Sequence, residues 1–166
     1  ELFDCAELMA KQPRPSGPRL AAVTNAGGPG VMAADALSHH RLEPARLGPE
    51  TIDRLNEVLP ASWSRRNPID ILGDASAERF GRALAICFNS KKLDGVLVIL
   101  TPQAMTDPTK TAREIIPYTA DSKKPIMVSW MGGSDVETGE RILGEAGLAT
   151  FPYPDSAAKM FTELVA

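Results

Sequence analysis

Short apolar runs and longer stretches of helical periodicity alternate along most of the chain. Leu20–Asn25, Gly95–Leu100, Pro125–Trp130 and Ala149–Tyr153 read as strands, with a shorter one at Glu43–Leu47. The runs at 95–100 and 125–130 are near-continuous in apolar residues, as in parallel strands covered by helices on both faces. Apolar positions recur at helical spacing over 30–40, 49–58, 76–89, 107–120, 135–146 and 155–165. Several of these helices carry start signals: Pro49 after Gly48, Ser76 before Glu78, Asp107 before Pro108, Asp135 before Glu137, and Asp155 before the last one. Gly147, after Glu145 and Ala146, has the place of a glycine that ends a helix.

Five strands alternating with helices predict a three-layer, doubly wound α/β fold with right-handed crossovers. For a five-stranded parallel sheet the natural strand order is 2-1-3-4-5, the flavodoxin-like arrangement. Residues 1–10 also carry helical periodicity, and Lys11–Pro18 is rich in Pro and Gly. Residues 1–18 therefore read as a helix and linker from a preceding domain, and 19–166 as the α/β domain. With Glu1 in place of an initiator methionine, this start suggests a piece of a longer polypeptide. The span between 58 and 76 is longer than an ordinary connection, and long loops are often functional.

At 166 residues the chain can bury a real core, and its formal charge of −3 offers no electrostatic hold on nucleic acid or an acidic membrane. The densest basic pairs, Arg65-Arg66, Lys91-Lys92 and Lys123-Lys124, fall at expected element ends. No apolar run reaches the roughly 20 residues of a membrane span, and no signal peptide is visible, so the cytoplasm is the expected compartment. Cys5 and Cys87 are far apart and lack metal-ligand spacing, which predicts reduced thiols.

Four strand-to-helix junctions fall on the carboxyl edge of such a sheet, where open α/β folds bind ligands. They are Asn25–Gly30, Thr101–Asp107, Met131–Asp135 and Phe151–Asp155. At the first, Gly27, Gly28 and Gly30 allow a sharp turn, and the amides of the following helix, up to Val31, can face an anion. The spacing matches neither GxGxxG nor GxxxxGK[ST], so a plain tight turn remains an alternative. The helix opening at Thr106 and Asp107 could also present amides, or be an ordinarily capped helix. In the loop Arg66–Asp74, Pro68 holds Asn67 extended, and Asp70 and Asp74 flank Gly73. Those carboxylates could bind a metal or simply organise the loop through Asx turns. His39 and His40 are adjacent at a helix end, and Trp63 and Trp130 read as packing. No nucleophile-and-base pair and no metal-ligand set stands out, so no catalytic residue and no metal site is assigned.

Several segments together carry a resemblance over nearly the whole chain. They are Glu1-Leu-Phe-Asp4 leading into a linker, Val23–Val31 with Asp35, Leu59-Pro60, Asn67–Asp74, Asp94–Ile99, Lys124-Pro125, and Pro152-Tyr-Pro followed by Ser156-Ala-Ala158. In these the sequence resembles the nucleoside-diphosphate-forming acyl-CoA synthetases, which include ADP-forming acetyl-CoA synthetase. It is similar, more distantly, to the C-terminal domain of the succinyl-CoA synthetase β subunit, and the same multidomain unit occurs fused to an acetyltransferase in bacterial protein lysine acetyltransferases. The resemblance implies the flavodoxin-like domain that follows the phosphohistidine domain. The complete enzyme interconverts acyl-CoA, ADP and phosphate with acid, CoA and ATP. Phosphohistidine and CoA-binding domains and an ATP-grasp domain are the implied partners; CoA, ATP or ADP, and Mg²⁺ belong to the full-length enzyme, and none is expected on this domain alone. The family's phosphorylated histidine lies in a Ser-His-Thr-Gly context, which neither His39 nor His40 has, so the domain is expected to be inactive alone. The implied phosphate-binding residues are Asn25, Gly27, Gly28, Gly30 and Val31, or Thr106 and Asp107, with Asp35, Asn67 and Asp70 as polar support. A module sensing CoA, acyl-CoA or nucleotide beside an acetyltransferase is the alternative function.

Overall fold

The computed structural model describes residues 6, 7 and 10–166, so the helix expected over 1–10 falls largely outside the described residues. The strands are β1 (Leu20–Thr24), β2 (Ile69–Asp70), β3 (Gly95–Leu100), β4 (Ile126–Trp130) and β5 (Ala149–Phe151). Between and after them run α1 (Gly27–His39), α2 (Pro49–Val58), α3 (Ala77–Asn89), α4 (Pro108–Thr119), α5 (Glu137–Glu145) and α6 (Pro154–Val165), with a 3-10 turn over Gly133–Asp135. The sheet has the order β2-β1-β3-β4-β5 and every pairing is parallel. It is the expected doubly wound, flavodoxin-like architecture.

One strand is not where the hydrophobic pattern puts it. Glu43–Leu47 forms no strand and touches β1 through a single bond, from Ala45 N–H to the Leu20 carbonyl at 3.1 Å. Pro44 offers no donor for a ladder there. The second strand is instead Ile69–Asp70, inside the long 58–76 span, and it pairs only with Val23 and Thr24. Below it the edge of β1 is closed by a side chain. Asn67 Oδ1 accepts the Ala22 amide at 2.9 Å, and its Nδ2 donates to the carbonyls of Leu20 at 2.8 Å and Ala45 at 3.0 Å. One carboxamide thus does the work of a strand residue for a backbone that would otherwise be unpaired.

Alternate residues of the buried strands feed two cores. Val23, Val98, Val128 and Trp130 pack under α2, α3, α4 and α5 with Leu55, Phe80, Leu84, Ile115 and Leu143. Leu20, Leu97, Ile99 and Met127 pack under α1 and α6 with Leu37, Ala157, Ala158 and Phe161. Both tryptophans are buried, with Trp63 Nε1 donating to Asn56 Oδ1 at 2.9 Å and Trp130 Nε1 to the Pro108 carbonyl at 3.2 Å. Cys87 is buried in apolar surroundings that push its thiol up to about 12, so it is inert; Cys5 lies outside the described residues. Ser76 and Asp107 cap α3 and α4 through the amides of Arg79 and Lys110, while Asp135 makes no such cap for α5. Gly147 has φ +83°, the left-handed residue expected after α5.

Candidate anion-binding site at the carboxyl edge of the sheet

All four expected junctions lie at the carboxyl edge, since the strands are parallel. Asn25 holds two of them together. It is buried; Oδ1 accepts the Thr101 amide at 2.9 Å and the Thr101 hydroxyl at 3.2 Å. Its Nδ2 donates to the Thr101 carbonyl at 2.8 Å and to Thr106 Oγ1 at 3.2 Å, and Thr106 Oγ1 donates on to the Ala75 carbonyl at 3.1 Å. Asn25 and Thr106 therefore spend their side chains locking the β1, β2 and β3 loops to one another. The Thr106 amide is also taken, by the Gln103 carbonyl at 3.0 Å.

The two candidate helix ends differ in what already occupies them. At α4 the Asp107 carboxylate accepts the Lys110 amide at 2.9 Å, and Pro108 has no N–H to offer. An anion there would have to displace a carboxylate that stabilises the end by capping and charge. At α1 the N-cap is Ala26, with no side-chain cap and no acidic residue in the first turn. The amides of Gly27 and Gly28 have no intrahelical acceptor, both residues are exposed, and Gly30 N–H reaches Ala26 O only at 3.4 Å. Thr24 squares the entry: its hydroxyl accepts the Ala26 amide at 3.0 Å and donates to the Ala26 carbonyl at 2.8 Å.

The glycines of this turn are already helical, with no positive φ among them; left-handed glycine backbone occurs instead at Gly132 and Gly133 in the β4–α5 junction. What they supply is clearance. A Cβ on Gly30 would stand 3.1 Å from Pro68 Cβ and from Thr24 Cγ2, so Gly30 lets α1 sit down on the sheet edge. A Cβ on Gly28 would meet nothing within 4 Å and would project into open space beside the free amides. Val31 lies past the first turn, where a helix spends its amides on its own carbonyls.

Of the remaining candidates, Asp70 is near this end and Asp35 and Asn67 are not. A Cβ on Gly27 would lie 3.3 Å from Asp70 Oδ2, while Oδ1 accepts the Leu72 amide at 2.9 Å in an Asx turn. Asp74 pairs with Arg79, which holds its carboxyl below the usual range. The loop thus uses both carboxylates for its own shape, and among the described residues no cluster of three or more His, Cys, Asp or Glu could hold a metal. Asp35 is exposed eight residues along α1 from Gly27, about 12 Å away on a helix rise of 1.5 Å. Asn67 is the strand substitute described above. His39 and His40 are exposed at the far end of α1.

An apolar rim, which no motif in the sequence announces, also borders this edge. Met105, 70% exposed, lies in the β3–α4 loop, Tyr153 in the β5–α6 junction, and Val31 and Met32 on the opening turns of α1. Of the five large hydrophobic residues exposed among the described residues, these four lie toward the carboxyl edge. Their signal in the sequence was faint: large apolar residues placed inside turns and at a helix start.

Comparison with known proteins places this fold. The ADP-forming acetate–CoA ligase I of Archaeoglobus fulgidus is 44% identical over 99% of this chain, which spans 23% of that protein. A succinate–CoA ligase [ADP-forming] β subunit from Rickettsia conorii is 36% identical over 57% of this chain, consistent with the expected kinship. Among solved structures, the dinucleotide-forming acetyl-coenzyme A synthetase 1 of Ca. Korarchaeum cryptofilum, in complex with phosphate and ADP, superimposes with a TM-score of 0.89. That match covers 98% of this chain and 35% of the other at 27% identity. The Ligase-CoA domain model matches residues 20–161, and the chain belongs to that family.

Proposed function

We propose that this chain is the flavodoxin-like unit of an ADP-forming acyl-CoA synthetase, and that it works as part of a longer polypeptide or assembly. The single observation that carries the site is the N-terminus of α1: uncapped, free of acidic residues in its first turn, and set at the carboxyl edge of a Ligase-CoA domain. There Gly27 and Gly28 offer their amides to the phosphoryl group of a phosphohistidine on a neighbouring unit. Backbone amides and the helix dipole stabilise that dianion with no proton to exchange and no side chain to reorganise. Thr24 and Asn25 fix the direction of the amides, and Gly28 leaves them approachable.

The apolar rim of Val31, Met32, Met105 and Tyr153 supports the same reading. A partner unit seated on it would remove water from the phosphoryl group, which strengthens each amide contact and keeps hydrolysis from competing with transfer. Acid–base and nucleophilic steps fall to the units this chain does not contain, as do the binding of CoA and of ADP with Mg²⁺. No helix among the described residues is long and apolar enough to cross a membrane, and we assign the chain to the cytoplasm. The alternative, a ligand-sensing module beside an acetyltransferase, draws no support from the relatives described above, which carry the names of ligases or synthetases.

The test compares the isolated chain with the full-length protein, each given acetyl-CoA, ADP, phosphate and Mg²⁺. ATP is expected from the full-length protein and none from the isolated chain. ATP made by the isolated chain would overturn the assignment of the chemistry to other units.

A further inference from the structure

Gln12–Arg19 has the composition of a linker, yet it is bonded to the sheet at separated points. Gln12 Oε1 accepts the amide of Ile126, the first residue of β4, at 2.6 Å. Ser16 Oγ donates to Asp94 Oδ1 at 2.8 Å. Arg19 gives the same carboxylate its backbone amide at 3.0 Å and both Nε and Nη2 at 2.7 Å. Between them Gly17 is pressed close, since a Cβ there would stand 2.7 Å from Asp94 Oδ2.

Asp94 is 1% exposed and immediately precedes β3, which lies between β1 and β4 in the sheet. The segment therefore crosses the amino ends of β4 and β3 before joining β1. Pro13, Pro15 and Pro18 fix φ at three of its eight positions, so little freedom remains between the anchors. Upstream of Gln12, Lys11 and Glu7 form an exposed ion pair at helical spacing.

We propose that Gln12–Arg19 is a rigid strap, latched by Asp94, that fixes the direction in which the preceding polypeptide leaves the amino edge of the sheet. The strap sets the pose of this unit against whatever precedes it, at the end of the molecule opposite α1's free amides. This rests on the reading that the chain is one unit of a longer polypeptide, although the latch itself is made by this chain's own residues.

The test is amide hydrogen exchange on the full-length protein, with a spin-label pair at Glu7 and Arg82. A rigid strap lets go as one body. Asp94→Asn, at a residue that makes no hydrogen bond to Gln12, should speed exchange of the Ile126 amide about tenfold while Val98 and Val128 stay protected. The label pair should change from one narrow distance peak to a broad distribution. Unchanged exchange at Ile126, or a distribution as narrow as the parent's, in folded Asp94→Asn protein overturns the proposal. If that variant fails to fold, Arg19→Gln, which keeps the carboxylate and its Ser16 bond but removes both guanidinium bonds, is read by the same two criteria. Neither readout involves phosphoryl transfer, so a protein that makes no ATP can still show the strap, and an active one can lack it.

Discussion

Single residues separate the two helix ends that the sequence left as alternatives. Asp107 caps α4, so Asp107→Ala should cost about 1 kcal/mol of stability, read from urea unfolding. It should leave ATP formation by the full-length protein unchanged; a large loss of activity there would move the phosphate to α4. Asn25 is a different case, because its carboxamide joins Thr101 to Thr106 inside the fold. Asn25→Ala leaves buried donors and acceptors unpaired and should cost roughly 2–4 kcal/mol by the same measurement. Asp94 carries the clearest pH signature. Arg19 foremost holds its carboxyl at about 2 against the ordinary 3.8, a difference worth about 2 kcal/mol of stability at neutral pH. A depressed carboxyl stabilises above its unfolded value, so the contribution is complete above pH 3.8 and is lost as pH falls through about 2. Unfolding curves between those limits should fall steeply for the parent and weakly for Asp94→Asn; equal slopes would contradict this assignment.

Elements were legible where pattern and covering agree. The long apolar runs of β3 and β4 and the capped helices α3 and α4 sit within a residue or so of their expected bounds, because burial on two faces and N-caps both write themselves into sequence. β2 escapes the hydrophobic pattern for a physical reason. Two residues are too short for a period, and the rest of that sheet edge is closed by the Asn67 side chain, which hydrophobic pattern cannot register. α1 starts earlier than its apolar periodicity, because glycines and a proline that look like a turn form the first helical turn here. The strap was hidden for a related reason: Pro, Ser and Gly suggest a linker, and only the long-range partner Asp94 reveals an anchored segment.

For the whole molecule, the architecture followed from alternation of strand and helix alone, and in such a sheet the carboxyl edge is where a ligand is expected. What the site takes did not follow from spacing, since the glycine turn matches no phosphate-binding signature; the phosphoryl reading proposed for it rests on the uncapped start of α1 in a Ligase-CoA domain. The chain spans 23% of a relative that is 44% identical to it, so the chemistry is argued for an assembly in which this unit supplies oriented amides and an apolar rim. The most direct test of that account is Gly28→Ala in the full-length protein, measured both for stability and for ATP formation from acetyl-CoA, ADP and phosphate. A Cβ there meets nothing within 4 Å and replaces a helical glycine, so stability should hold or rise by about 0.5–1 kcal/mol. Activity should nonetheless fall by roughly tenfold or more, as expected when one donor of a preorganised anion site is obstructed. A Gly28→Ala protein at least as stable as its parent that makes ATP at the parental rate would contradict the claim that α1 presents its amides to the phosphoryl group.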